Sequence, residues 1–183
     1  MSKISSAKPA AIKIQAMVRG HQSRNQQLLQ AAKIGNIKRT KNLIKHGADV
    51  DAKGRYGWTA LYLATKYNHV KTVQLLLNSE ADVNARNNNG STALHRAVCN
   101  NNVKIVQLLL DNRADANARN NNGSTVLFQS AFCDVKIVKA LVQAGADIKA
   151  KITLKITSNE ITALALACGE NRDVLINAMK RNS

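Results

Sequence analysis

Apolar residues recur along the middle of the chain with two superposed periods. The short one is helical: Val70, Val73, Leu76 and Leu77 fall three to four residues apart and share one face of a helix. The long one is a copy of the whole stripe. The same four positions return as Val103, Val106, Leu109 and Leu110, then, one residue early, as Val135, Val138, Leu141 and Val142. Ahead of each stripe a Thr precedes an apolar Leu by two residues, as Thr59 and Leu61, Thr92 and Leu94, Thr125 and Leu127. A Thr there can cap a helix start and leave the Leu facing the core, and Thr162 is placed to do the same. Each copy therefore predicts a capped inner helix followed by an amphipathic outer one. The polar punctuation keeps the same step: Gly57, Gly90 and Gly123 are 33 residues apart, and Ala48, Ala81, Ala114 and Ala146 follow at 33, 33 and 32. Asn84–Leu94 returns almost unchanged as Asn117–Leu127, with only Ala93 becoming Val126. A fixed period of this size marks stacked units that bury their apolar faces against one another.

The runs Tyr56-Gly57-Trp58-Thr59-Ala60-Leu61 and Ala81-Asp82-Val83-Asn84-Ala85, with their copies, resemble the ankyrin repeat. The resemblance implies an all-α repeat solenoid, an ankyrin-like array of about five helix-turn-helix units with β-hairpin fingers, preceded by an amphipathic helix. It covers residues 28–181, with units at about 28–52, 53–85, 86–118, 119–150 and 151–181. Ala60, Ala93, Val126 and Ala163 stand where the family usually has Pro after the Thr. Gly47 and Gly145 close outer helices, but Glu80 and Arg113 hold the matching positions and must either accept left-handed geometry or turn differently. The fourth unit loses one residue around Phe132-Cys133-Asp134. The fifth gains five between Ala150 and Thr162, where alternation from Ile152 predicts a longer β-hairpin.

Residues 1–9 read as a flexible N-terminus and 10–27 as a basic amphipathic helix, with Ala11, Ile14, Met17 and Val18 on one face. Within it Ile14, Gln15, Val18, Arg19, Gly20 and Arg24 resemble the IQ motif, which implies calmodulin or a calmodulin-like light chain as partner. The apolar stripe would enter a lobe's groove, Gln15 would bond to its backbone, and Arg19 and Arg24 would meet its acidic rim. Gln27 departs from the motif, which expects an apolar residue there. Charge fits a basic, partner-seeking segment. Of 27 Lys and Arg against 11 Asp and Glu, the first 48 residues hold ten basic and no acidic ones. Trp and Phe, the usual anchors of interfacial helices, are absent from that segment.

No catalytic chemistry is legible. His21, His46, His69 and His95 share no metal spacing, and Cys99, Cys133 and Cys168 read as reduced structural thiols. No cofactor, metal or catalytic residue is expected, and the chain is read as not an enzyme. The resemblance implies recognition through finger tips and inner-helix surface, which in the second unit are Arg55, Tyr56, Trp58, Lys66 and Tyr67; Trp, Tyr and Arg are the residues that most often dominate interfaces, while Tyr62 is assigned to the core. The third unit offers Asn88, Asn89, Ser91 and Asn100, and the fourth Asn121, Asn122 and Ser124. The expected function is a monomeric, intracellular (cytoplasmic) adaptor: a protein partner on the concave repeat surface, and a calmodulin-like protein on the N-terminal helix. Alternatives are a basic binder of nucleic acid or anionic membrane, and a plain scaffold with an inert N-terminal helix. In a bacterial source the adaptor would be a host-directed effector acting in the host cytoplasm.

Overall fold

The computed structural model describes residues 7–153, 160–163, 167 and 169–181. In chain order these form α1 (Ala7–Lys33), α2 (Ile37–Lys45), α3 (Ala60–Lys66), α4 (Val70–Leu77), α5 (Ala93–Cys99), α6 (Val103–Asp111), α7 (Val126–Gln129), α8 (Val135–Gln143), β1 (Lys151–Thr153), β2 (Glu160–Thr162) and α9 (Gly169–Arg181). Inner helices α1, α3, α5 and α7 stack in one layer, outer helices α2, α4, α6, α8 and α9 in a second. A single apolar cluster runs between the layers, from Leu28 through Leu61, Leu94 and Leu127 to Leu175. This is the predicted all-α repeat solenoid.

The caps follow the text. Thr59, Thr92 and Thr125 each accept a hydrogen bond from the backbone N–H three residues on, at Tyr62, His95 and Phe128. Outer helices end alike in four units. Ala48, Ala81, Ala114 and Ala146 donate back to Leu43, Leu76, Leu109 and Leu141, and the residue before each Ala is left-handed. That is the Schellman arrangement, and it explains the alanine series: a small buried residue must follow the left-handed one and pack on the helix it closes. Gly47 and Gly145 adopt φ of 80° and 81°, and Glu80 and Arg113 accept the same geometry at 63° and 66°. Because both side chains are exposed, Glu80→Gly is expected to stabilise the fold by about 0.5–1 kcal/mol, strain relief exceeding the added unfolded-chain entropy. Its melting temperature would rise; an unchanged value would mean that the strain at Glu80 only offsets the entropy glycine adds to the unfolded chain, and a fall that Glu80 carries little strain.

Left-handed residues also close inner helices, at Gly35, Asn68 and Asn101 with φ of 72°, 61° and 52°. The residue missing from the fourth unit is this one. Without it α7 tightens after four residues into a 3-10 turn, Ser130–Phe132, and Phe132 is left 73% exposed.

The fingers of units two to four are bracketed loops and not laddered strands, so the expected β-hairpin form is met in the fifth unit alone among the described residues. There Lys151, Ile152 and Thr153 pair antiparallel with Thr162, Ile161 and Glu160. In the other fingers Gly54, Asn87 and Asn120 donate to the carbonyls of Trp58, Ser91 and Ser124. Adjacent fingers are joined by Asn88 N–H to the Tyr56 carbonyl and Asn121 N–H to the Asn89 carbonyl, both at 3.0 Å.

The N-terminal helix differs from expectation in its limits. It begins at Ala7, inside the stretch expected to be flexible, and runs unbroken through residue 27 into the first inner helix. Residues 1–6 lie outside the described residues.

Candidate protein-docking surface

The second unit's aromatic residues converge because of helical spacing. Tyr62 and Lys66, and likewise Leu63 and the C-cap Tyr67, are four residues apart and so lie one turn from each other on α3, and the finger returns Trp58 beside Tyr62 just before the Thr59 cap. Tyr62 is 9% exposed and belongs to the core, where burial pushes its hydroxyl pKa up. Trp58 stacks on it, centroids 5.7 Å apart at 16°, and Tyr56 leans on Trp58 at 5.0 Å. Tyr56 is held at φ 65° within the finger's turn and is 51% exposed. A bulky residue in that region is strained, and here the strain aims its ring outward.

Cations rest on these rings. Lys66 Nζ lies 3.9 Å from the Trp58 centroid and 5.6 Å from that of Tyr67, the Arg55 guanidinium 4.8 Å from Tyr56, and Lys33 Nζ 5.8 Å from Tyr67. All five predicted partner-surface residues, Arg55, Tyr56, Trp58, Lys66 and Tyr67, are therefore brought together. Beside them a groove of about 310 Å³ opens between α1 and α3, lined by Leu29, Lys33, Arg55, Trp58, Leu63 and Tyr67 among others. The sequence reading overlooked α1's contribution of Leu29 and Lys33. Period alone could have found it, since Lys33 is 33 residues before Lys66.

The predicted calmodulin-binding residues are divided. Gln15, Val18 and Arg19 are exposed on α1, and Gly20 is half-buried. Arg24 folds back toward Gly20, with its Nε buried and without a hydrogen-bond partner among the described residues. The next residue is structural: Asn25 Oδ1 accepts from Asp49 N–H at 2.9 Å. Asp51 does the same for Asp82, Asn84 for Asp115 and Asn117 for Asp147. Asn25 thus supplies from a helix the bond that fingers supply elsewhere, and α1 caps the array. The side chain of Ile14 lies outside the described residues.

Of the polar residues offered in the later fingers, Asn88, Asn89, Asn121 and Asn122 are exposed; Asn121 Nδ2 donates to the Asn88 carbonyl, and the neighbouring Asn87 and Asn120 side chains bracket their own fingers. Cys99 is exposed and Cys133 half-buried, both free thiols, whereas Cys168 lies outside the described residues. Among the described residues no three His, Cys, Asp or Glu side chains form a metal-ligand group, and no helix is long and apolar enough to cross a membrane.

His95 is 2% exposed and completes a capping box, its Nδ1 accepting from Thr92 N–H at 3.3 Å while Nε2–H donates to the Ser124 carbonyl at 3.4 Å. Burial holds its pKa below the usual value. Since the folded pKa is depressed, His95 contributes stability above the unfolded pKa of about 6.5, and that stability is lost as pH falls toward the lower folded value. His95→Gln, which can keep the box, is expected to lose less melting temperature than the native chain between pH 7 and pH 5.

Two layers of capped helices with a continuous core between them define a repeat scaffold. The family model for ankyrin repeats matches three times, at residues 9–87, 28–120 and 82–152, and the chain belongs to the ankyrin-repeat family. Ankyrin repeats generally bind protein partners and are generally non-catalytic. The chain is also 38% identical over 55 residues to the human protein named mitochondrial disaggregase, a match covering 30% of this chain and 8% of that protein.

Proposed function

We propose that this protein is a non-catalytic adaptor that docks a protein partner on the concave surface of its first two repeats. The observation that carries this is the convergence of Tyr56, Trp58 and Tyr67 with Arg55, Lys33 and Lys66 beside an open groove. Aromatic and Arg side chains supply most interface energy when they are preorganised, and here stacking and cation–π contacts hold them before any partner arrives. A photo-crosslinking residue placed at Tyr56 is expected to capture a protein in cells expressing the chain. One placed at Lys71, exposed on outer helix α4, is not. Equal capture at both positions, or none at Tyr56, would remove the proposal.

A second contact is supported by the exposure of Gln15–Arg19 on α1. A calmodulin-like protein can approach this face without disturbing the first repeat, while engagement of Arg24 requires that side chain to leave its place beside Gly20. Calorimetric titration of calmodulin, with calcium and with chelator, is expected to give binding that an Ile14→Ala/Arg19→Ala double variant loses. Equal binding by the variant, or none at physiological salt, would reduce α1 to a cap. Binding that collapses with added salt would instead favour the nucleic-acid or membrane-surface alternative.

A further inference from the structure

We propose that the groove between α1 and α3 receives an extended acidic segment of the partner, its carboxylates meeting Lys33, Arg55 and Lys66 and its intervening apolar side chains lying on Leu29, Trp58 and Leu63. This rests on the docking surface proposed above and names the chemistry that fits it.

Three observations converge. Among the described residues the groove has no acidic residue in its lining, and two ammonium groups, Lys33 and Lys66, share the Tyr67 ring. The chain's own carboxylates near the fingers are engaged elsewhere. Asp49, Asp82, Asp115 and Asp147 accept from the N–H two residues on, and Asp51 accepts from Asp82 N–H. With no carboxylate in the described lining, positive potential stands over an apolar floor, which favours an anionic partner and speeds its encounter.

The second observation is that the ring faces are taken. Lys66 already lies over Trp58, and Arg55 over Tyr56. A cationic ligand would have to displace these side chains, whereas a carboxylate joins them and finds the ammonium groups already oriented.

The third is extent. A groove of about 310 Å³ is at the small end of ligand pockets, suited to a few side chains of a chain lying across the surface. The cationic row also stops. The positions of Lys33 and Lys66 continue at 33-residue steps as Cys99 and Phe132, a neutral thiol and an exposed ring. A nucleic acid would ask for cations continuing along its backbone, so a short protein segment with carboxylates interspersed among apolar side chains is the better match.

Trp58 is the chain's single Trp, so its fluorescence reports on the groove. The full chain would be titrated at physiological salt with a ten-residue peptide alternating Glu and Leu, and with the same peptide carrying Gln for Glu. The acidic peptide is expected to shift Trp58 emission saturably and to bind at least tenfold tighter than the neutral one. Lys66→Met, which keeps the alkyl stem, is expected to weaken it at least tenfold, while Lys71→Met on the outer layer leaves it unchanged, with circular dichroism confirming that both variants fold. Equal binding of both peptides, no binding, or equal loss in Lys71→Met would overturn the inference, as would a Lys66-dependent response to single-stranded DNA or phosphatidylserine vesicles in place of the peptide. Continued crosslinking at Tyr56 in any of these cases would leave the docking surface standing and refute only the acidic chemistry.

Discussion

Leu94→Ala is expected to lower the unfolding free energy by about 2–5 kcal/mol, read as a fall in the urea midpoint. Leu94 is fully buried in α5, the inner helix of the middle unit. Helix α5 packs on α3 before it and α7 after it, as well as on its own outer helix α6. Deleting the Leu therefore weakens two inter-unit interfaces together, and in a linear array those interfaces couple the units into one cooperative transition. Leu175 is equally buried but lies in α9, at the end of the described array. Its truncation is expected to loosen the terminal unit locally and move the global midpoint less. Equal effects at both positions would mean that the array unfolds as a block, whichever unit is weakened.

The periodic parts of this fold were open to a reader of the sequence because each unit repeats its own instructions. Thr before Leu marked the inner helices, the Val and Leu stripes marked the outer ones, and alternation after Lys151 marked the strands that pair there. Copying also makes the departures visible: the residue missing near Cys133 is legible as a gap, whereas the left-handed turn it removes is not. What stayed hidden was contact between non-identical parts. Asn25 acting from a helix in place of a finger residue has no repeat to announce it. Arg24 turning back on Gly20 with its Nε buried, in place of standing out beside Arg19, is not contained in the IQ-like spacing. The docking surface was legible in half: the aromatic cluster of unit two was compositional, but the α1 wall of the groove required knowing that α1 is itself an inner helix.

Gly90→Ala is expected to destabilise the protein by about 3 kcal/mol, and Gly123→Ala by about 1–2 kcal/mol, although the two glycines occupy the same place in successive near-identical fingers. Both are left-handed, at φ of 71° and 74°, so each Ala incurs the same local strain. Their surroundings differ. A Cβ on Gly90 would lie 2.9 Å from the backbone nitrogen of Asn121, with the side chains of Asn121 and Arg86 also in contact. The flexible side chains can move, but the nitrogen belongs to the next finger. Making room for the methyl group shifts that finger and disrupts the bonds from Asn121 N–H to the Asn89 carbonyl at 3.0 Å and from Asn121 Nδ2 to the Asn88 carbonyl at 2.9 Å. Among the described residues, a Cβ on Gly123 would meet nothing within 4 Å. The difference between the two variants in urea unfolding therefore isolates what finger-to-finger contact contributes, with backbone strain cancelling. Equal losses would place the stability of the array wholly in its helical layers, leaving the fingers as independent loops.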